Sequence, residues 1–452
     1  MSIEMHQKRI RAINDAEQKN RGYFRRIRVR DYLPGQVIYH LGDYPGRISP
    51  RPTEYDVRVL TELAANGVEL VQLHEEWNDV NRLYGGTKHT AADEEGMKAF
   101  VDLCHSLGLK VISYISSGFF SEDDPDFSED FVNHYDLSKV YNPKRLRIRQ
   151  LHMNYRKCSP GSAAWREYLL PRTFAALDTY GFDGIYNDWG YDKVAFAPAM
   201  GAELPYDPEI EDLLGIIYNE VKRRGGIYKL HADRNNKPNV KDRVYDYLWI
   251  GEAVELDKVS AGSGKDFDPY VVPCMDMVNS KNGLDQDGYM ARTVPFLQFP
   301  ILKYGRPVLG NNLNLPGVTY YGQVEQEFFE RVAEYMKSHP NGPYAYSSWS
   351  AIPDDPNDYP NWLKYLKLYR PMVTENSLAY IELSESAYVK SPLGGNMVAT
   401  MFVNEETYLT VSNFDDAPYE LVLDGTWRDR ETGERGSTFT VRKNKMRFLI
   451  KE

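Results

Sequence analysis

Apolar and polar positions follow two different periods along this chain. From residue 36 to about residue 369, short β-rich apolar runs precede longer runs in which apolar residues recur at helical spacing, as Val57, Leu60 and Ala64 do. The pattern predicts strands at 36–41, 68–74, 109–116, 182–187, 227–230, 247–250, 307–309 and 344–346. It predicts helices at 53–66, 92–107, 162–180, 209–224, 287–303, 325–338 and 359–369.

This alternation predicts an α/β fold in which residues 36–374 form a (β/α)8 TIM barrel. Residues 118–160 break the rhythm with mixed charged and aromatic residues, and we interpret them as a long functional loop insertion. We expect the β-like run at 270–274 to lie in a loop. Over residues 375–452 the period changes to two, which predicts a small C-terminal antiparallel β-sandwich domain.

Composition narrows the class of protein. Of 452 residues, 42% are hydrophobic and 26% are charged, which indicates a globular chain. The formal net charge of −11 disfavours nucleic acid as a partner, because phosphate binding depends on lysine and arginine. No apolar stretch approaches the ~18 residues of a membrane span, so we expect no membrane partner. Three distant cysteines without a C-x-x-C pair indicate neither a disulfide framework nor zinc, and we expect no cofactor and no metal.

Residues 1–35 are strongly basic, with nine lysines and arginines among the first thirty positions. They lack the apolar run of a secretory signal, so we interpret them as a solvated basic leader. The cytoplasm is the default location, although a secretion signal that has been removed would leave no trace. The sequence leaves the oligomeric state open, including a homo-oligomer.

Reacting groups of βα barrels follow the carboxyl ends of the strands, which makes the segment Gly-Phe-Asp-Gly-Ile-Tyr-Asn-Asp-Trp-Gly at 181–190 informative. Asp183 precedes the predicted strand, and we expect it to have a structural role. Asp188 follows the strand beside Trp189. A carboxylate there suits a nucleophile at the anomeric carbon of a sugar.

A second carboxylate follows the predicted strand 247–250, where an apolar run ends in Gly251-Glu252. Burial beside apolar side chains raises the pKa of a carboxyl group, which suits a general acid, so Glu252 is the acid/base candidate. Glu255 and Asp233 are the competing candidates for this role.

The segment 181–188 resembles the fourth-strand motif of retaining α-glycoside hydrolases, the group that contains α-glucosidases, α-galactosidases and α-amylases. The resemblance implies that Asp188 is the nucleophile. Gly251-Glu252 resembles the acid/base segment of the α-amylase-like branch, whereas the α-galactosidase-like branch uses aspartate at the comparable strand. A barrel followed by a β-domain is similar to the architecture of this group.

A high tyrosine and tryptophan content, 34 and 7 residues, suits stacking on sugars. The predicted partner is therefore an oligosaccharide or glycoside substrate. The polar and aromatic residues that follow the predicted strands are the candidate substrate contacts: Asp43, His74, Glu75, Trp77, Asn187, Trp189, His231, Asp233, Glu255 and Trp349. For each tryptophan, core packing is an equal alternative.

We therefore predict a glycoside hydrolase that cleaves an α-glycosidic bond by a two-carboxylate retaining mechanism. Retention requires carboxyl groups roughly 5 to 5.5 Å apart, and a separation of ~6.5 to 9.5 Å would indicate inversion. One alternative is a noncatalytic carbohydrate-binding barrel. The other is a metal-dependent sugar isomerase or lyase in which His74 and His231 join the two carboxylates as ligands. The sugar, the linkage and endo or exo action stay open.

Overall fold

The computed structural model of the protein describes residues 2–41, 50–74, 77, 89–91, 93–121, 124–132, 155–188, 208–231, 240–250, 269–274, 285–306 and 358–452. The α-helices, named in chain order, are α1 (Ile3–Lys19), α2 (Glu54–Ala65), α3 (Glu94–Ser106), α4 (Ala163–Tyr180), α5 (Pro208–Arg223), α6 (Gln286–Thr293) and α7 (Asp358–Tyr369). Short 3-10 helices lie at Glu129–Phe131, Val294–Phe296 and Arg370–Met372.

The first strands in chain order are β1 (Asn20–Arg28), β2 (Gln36–His40), β3 (Leu70–Leu73), β4 (Lys110–Ser116), β5 (Phe119–Ser121), β6 (Tyr155–Lys157), β7 (Gly184–Asp188), β8 (Ile227–His231), β9 (Tyr247–Ile250), β10 (Val271–Pro273) and β11 (Leu302–Gly305). The C-terminal strands are β12 (Leu378–Ser386), β13 (Met397–Val403), β14 (Thr407–Asn413), β15 (Tyr419–Asp429), β16 (Arg435–Val441) and β17 (Lys445–Lys451).

The chain divides into two compact units. One takes its described residues from 36–252 and 302–355, and the other from 1–35, 253–301 and 356–452. In the first of these, strands pair side by side in the order β9-β8-β7-β4-β3-β2-β11. Each of these pairs is parallel. Helices α2, α3, α4 and α5 alternate with the strands, so the predicted βα architecture is confirmed.

Helix boundaries in this unit follow local sequence signals. Thr53 caps α2 in a capping box with Asp56, in which each side chain bonds to the other residue's backbone N–H. Ser162 caps α4 by accepting a hydrogen bond from the backbone N–H of Trp165. Gly181 ends α4 at φ 73°, a left-handed conformation that glycine adopts without a Cβ penalty. The left-handed residue Gly181 turns the chain from α4 toward β7.

Two predicted elements near residue 290 are wrong. The run 270–274 contains strand β10 instead of a loop, because the β-branched pair Val271-Val272 favours extended backbone. The predicted helix 287–303 ends at Thr293, since proline follows at 295 and 300 and interrupts a helical hydrogen-bond pattern. Strand β11 begins at Leu302, inside that predicted helix. The strands predicted at 307–309 and 344–346 and the helix at 325–338 lie outside the described residues.

The other unit contains an antiparallel sheet with strand order β1-β12-β13-β14-β17-β15-β16. Its core is formed by alternate apolar side chains, among them Leu409, Trp427 and Leu449, together with Ala16 from α1. The structure differs here from the expected solvated leader, because β1 pairs along its length with β12. The predicted boundaries at residues 35 and 374 stay predictions.

Part of the predicted insertion 118–160 is regular structure. Strands β5 and β6 form a two-stranded antiparallel ribbon in which Phe119 lies opposite Lys157. Phe120 packs edge-on against Trp165 of α4, with 5.7 Å between the ring centroids. This packing anchors the base of the insertion on the helix that precedes β7. Residues 133–154 lie outside the described part of the chain.

Candidate active site

Strand β7 positions the candidate nucleophile, and close packing against β8 fixes that strand. A Cβ atom at Gly184 would lie 1.8 Å from the carbonyl oxygen of Ile227, so only glycine fits at the start of β7. Side chains alternate between the two faces of a strand. Tyr186 and Asp188 therefore share one face, and Asn187 lies on the other.

Asp188 accepts hydrogen bonds from donors on three adjacent strands. The hydroxyl of Tyr114 on β4 lies 2.6 Å from Oδ2. Oδ1 accepts from the hydroxyl of Tyr186 at 3.4 Å and from Nδ1 of His231 on β8. Asp188 is 8% exposed. These three contacts hold the carboxyl group of Asp188 at the carboxyl end of the sheet.

Aromatic rings fix the orientation of the imidazole that contacts Asp188. His231 meets Trp249 of β9 edge to face, with ring centroids 4.2 Å apart. Trp249 also packs edge-on against Tyr186 at 5.7 Å. The ring of Tyr186 also lies near the imidazole, with 6.2 Å between the centroids, so two aromatic rings pack on the histidine whose Nδ1 contacts the carboxylate.

His74 at the end of β3 belongs to the same cluster of rings. Its centroid lies 5.8 Å from Tyr114 and 5.7 Å from Tyr186, the two tyrosines that donate to Asp188. The ring centroid of His40 lies 5.1 Å from that of His74. The structure therefore brings together three of the predicted site residues, Asp188, His74 and His231.

A buried polar chain supports His74. The ammonium group of Lys229, a residue with no exposed surface, donates to Oε1 of Gln72 at 2.7 Å. The Gln72 amide nitrogen lies 3.3 Å from Nε2 of His74. Lys229 and His231 are two residues apart on β8, so they share a face of the sheet. The side-chain nitrogen of Lys229 therefore lies on the same face of the sheet as the imidazole that contacts Asp188.

Two predicted substrate contacts, Trp77 and Asn187, do not lie on the face of the sheet that carries Asp188. Trp77 is 0% exposed, and its indole N–H donates to the backbone oxygen of Tyr114 at 2.9 Å. A ring without exposed surface cannot stack on a sugar, so Trp77 is a packing residue. The amide of Asn187 donates to Oγ of Ser117 and to the hydroxyl of Tyr228, both at 2.7 Å. These bonds tie β7 to its neighbours and make Asn187 structural.

The remaining predicted site residues lie outside the described residues: Asp43, Glu75, Trp189, Asp233, Glu252, Glu255 and Trp349. The separation of the two proposed carboxyl groups is therefore a prediction. Asp183 has the structural environment expected for the start of β7, since its Oδ2 accepts from the backbone N–H of Val111 at 2.7 Å.

Sequence reasoning missed the two tyrosines. Both lie two residues before a polar residue at a strand end, Tyr114 before Ser116 and Tyr186 before Asp188. Strand alternation places residues i and i−2 on one face, and this signal could have identified both. Lys229 and Gln72 precede His231 and His74 in the same way.

No metal-binding arrangement is found within the described ranges, where no three His, Cys, Asp or Glu side chains converge. In the same part of the chain, no helix combines the length and apolar character that membrane crossing requires.

Solved structures similar to this chain include proteins named as α-amylases. One is a putative α-amylase from Salmonella typhimurium, which is 13% identical with a TM-score of 0.50, covering 94% of this chain and 83% of that chain. Another is the α-amylase from Geobacillus thermoleovorans complexed with acarbose, at 10% identity and a TM-score of 0.47, covering 93% of this chain and 99% of that chain. A third is the noncanonic maltogenic α-amylase AmyB from Thermotoga neapolitana, at 13% identity and a TM-score of 0.46, covering 92% of this chain and 96% of that chain.

The likeness to the Salmonella protein shows the fold, a TIM barrel followed by an antiparallel β-sandwich domain. The fold class predicted from the sequence is thereby confirmed. A scan against protein-family models gives no match, and a comparison with curated proteins gives none.

Proposed function

We propose that this protein is a glycoside hydrolase that cleaves an α-glycosidic bond with retention of configuration. The observation that carries the proposal is the position of Asp188, at the carboxyl end of a barrel strand and held by donors from Tyr114, Tyr186 and His231. Reacting groups of TIM-barrel enzymes lie at this end of the strands.

In the proposed first step, Asp188 attacks the anomeric carbon while Glu252 protonates the leaving oxygen, and a glycosyl-enzyme ester forms. In the second step, Glu252 removes a proton from water, which attacks the same carbon and releases Asp188. The described residues support the role of Asp188, since its donors fix the carboxylate in one orientation and preorganise it for attack. Glu255 and Asp233 are the alternatives to Glu252.

Recognition of the sugar is assigned to residues around Asp188. Imidazoles donate to and accept from hydroxyl groups, and His74 and His231 already lie in the ring cluster of the site. Asp43, Glu75, Asp233 and Glu255 are proposed as further hydroxyl contacts. Trp189 and Trp349 are proposed as stacking platforms.

The test is a panel of α- and β-linked nitrophenyl glycosides and oligosaccharides with wild-type protein and Asp188→Asn. We expect turnover of α-linked substrates by the wild type and a loss of more than about 10⁴-fold in the variant, since removing a catalytic nucleophile has effects of this order. Asp102→Asn, an exposed carboxylate on α3, is the matched control and should retain full activity.

Stereochemistry tests the covalent step separately. Azide should restore turnover of Asp188→Ala and give a β-glycosyl azide, because the small anion occupies the place of the lost carboxylate. A folded, fully active Asp188→Asn would refute the assignment. Sugar binding without any turnover would favour the noncatalytic barrel, and activity lost with a chelator and restored by a divalent metal would favour the isomerase or lyase.

A further inference from the structure

Strand β4 carries two buried serines whose hydroxyls bond to nothing in the described parts of the chain. Ser113 and Ser116 are each 1% exposed, and the Oγ atom of each has no hydrogen-bond partner there. A buried hydroxyl without a partner is unfavourable, and the great majority of buried polar groups are hydrogen-bonded. The burial of each unpaired hydroxyl group therefore requires an explanation.

The two serines lie on opposite faces of β4. Ser116 is two residues after Tyr114, the donor to Asp188, and shares its face. In the parallel pairing of β4 with β7, Ser116 lies directly opposite Asp188. Ser113 lies opposite Ile185 on the other face. Adjacent strands are about 4.8 Å apart, so the backbone of Ser116 lies beside that of Asp188 at the carboxyl edge of the sheet.

We propose that Ser116 is a substrate-binding residue whose hydroxyl hydrogen-bonds to a ring hydroxyl of the sugar held at Asp188. The inference rests on the proposed function, because it takes the sugar to be the ligand of this face. A serine hydroxyl both donates and accepts, so it matches a sugar hydroxyl in either role.

This contact makes Ser116 a determinant of specificity. When a buried group is built to hydrogen-bond a substrate hydroxyl, an analogue that lacks the hydroxyl leaves that group unpaired and is rejected. The substrate class that follows is a sugar whose hydroxyl at the contacted position is free, and substrates alkylated at that hydroxyl should be poor.

The experiment compares Ser116→Ala with Ser113→Ala, a matched control of the same residue type, strand and burial on the opposite face. The substrates are the nitrophenyl glycoside that the wild type cleaves best and its series of monodeoxy derivatives. We expect Ser116→Ala to lower kcat/KM about tenfold on the parent glycoside, whereas Ser113→Ala should stay within about twofold of the wild type. On the deoxy derivative that lacks the contacted hydroxyl, the kcat/KM of Ser116→Ala should equal that of the wild type.

Thermal unfolding separates binding from a structural role. Replacing an unpaired buried hydroxyl with a methyl group is close to neutral, so neither variant should lower the melting temperature. Ser116→Thr, which keeps the hydroxyl, should recover part of the activity. Equal kcat/KM for wild type and Ser116→Ala on every substrate would overturn the inference and leave the proposed function intact.

A direct binding measurement covers the case in which the wild type cleaves nothing. Titration of each protein with free monosaccharides in a calorimeter then measures sugar binding, which tests the role of Ser116 without requiring turnover. Weaker binding by Ser116→Ala than by Ser113→Ala would support the inference although the proposed function had failed. Equal binding by the two variants, or no binding by the wild type, would overturn it.

Discussion

The hydroxyl of Tyr114 donates a 2.6 Å hydrogen bond to Oδ2 of Asp188 from the neighbouring strand. Tyr114 lies opposite Tyr186 in the strand pairing, so its ring reaches toward the carboxyl end to contact the aspartate two residues further on. The other oxygen of Asp188 is occupied by His231 and Tyr186. Within the described residues, Tyr114 thus donates to the carboxylate oxygen that His231 and Tyr186 do not contact.

Removing that hydroxyl with Tyr114→Phe should lower kcat/KM for glycosides by about 10- to 100-fold. A hydrogen bond to a charged group contributes about 1.5 to 3 kcal/mol, and each 1.36 kcal/mol corresponds to tenfold in rate. Initial rates with a nitrophenyl glycoside check this. Tyr218→Phe on α5 is the control and should be unchanged. Equal activity of Tyr114→Phe and wild type would show that Tyr114 does not position Asp188.

Gly184→Ala should destabilise the protein by about 3 kcal/mol or more, since the added Cβ would lie 1.8 Å from the carbonyl oxygen of Ile227 and force β7 away from β8. Gly215→Ala in α5 is the contrast, because its Cβ would meet only Val244 at 3.8 Å. Alanine is favoured over glycine inside a helix by about 1 kcal/mol. The midpoint urea concentration of unfolding should therefore fall for Gly184→Ala and rise for Gly215→Ala.

His89 makes stability depend on pH. Burial lowers the pKa of this imidazole to about 4, with a further contribution from Arg172. In the unfolded chain the pKa is about 6.5, so below that pH the unfolded state binds a proton that the folded state does not. The free energy of unfolding should therefore be undiminished above pH 6.5 and fall by about 3 kcal/mol as the pH drops to 4.

Denaturation at several pH values measures this loss in the wild type and in His89→Asn. Asparagine tolerates the positive φ of 51° at this position. The variant should show a flatter dependence between pH 6.5 and 4, and the exposed control His6→Asn should follow the wild type. A slope in His89→Asn as steep as that of the wild type would assign the effect to other groups.

Arg306 forms an ion pair with the buried carboxylate of Asp56 in the unit that contains the parallel strands. Burial raises the pKa of Asp56, but hydrogen bonds from Arg306 and Tyr39 outweigh it and hold the pKa below its usual value. The guanidinium contacts Asp56 at 2.8 Å, and the side chain of Asp56 has no exposed surface. The ion pair therefore stabilises the fold above the ordinary carboxyl pKa, and this contribution is lost as the pH falls through the lowered pKa of Asp56.

Arg306→Met should destabilise the protein by about 3 to 5 kcal/mol, because it leaves the charge of Asp56 buried without its partner. The double variant Asp56→Asn with Arg306→Met should recover part of this loss, and thermal unfolding of the three proteins measures it. A double variant less stable than Arg306→Met alone would show that Asp56 stabilises the fold independently of Arg306.

Periodicity predicted the parallel βα architecture because each strand carries a continuous apolar run and each helix an apolar stripe. It failed where the two signals overlap: residues 287–303 contain enough apolar residues for a helix, and only the prolines at 295 and 300 indicate a break. Pairing between β1 and β12 could not be predicted either, since hydrogen bonds between segments far apart in sequence leave no local pattern.

For the candidate site, the strand-end rule identified Asp188, His74 and His231, which the structure brings together. It did not separate inward from outward side chains at a strand end, and Asn187 was included for that reason. Trp77 was included because an aromatic residue after a strand can either stack on a ligand or pack into the core. Only burial and hydrogen-bond partners distinguish these two outcomes.

The pairing of β1 with β12 has a consequence during protein synthesis. The side chains of Asn20 and Ser386 share a hydrogen bond although they are 366 residues apart. At about 5 to 20 residues per second, residues 20–28 leave the ribosome many seconds before their partner strand exists. We expect the arginines interspersed along β1 to keep the nascent segment, with its aromatic Tyr23 and Phe24, from associating with other chains. Replacing Arg25 and Arg26 with threonine should then lower the soluble yield of newly made protein, while protein refolded at high dilution should be unaffected.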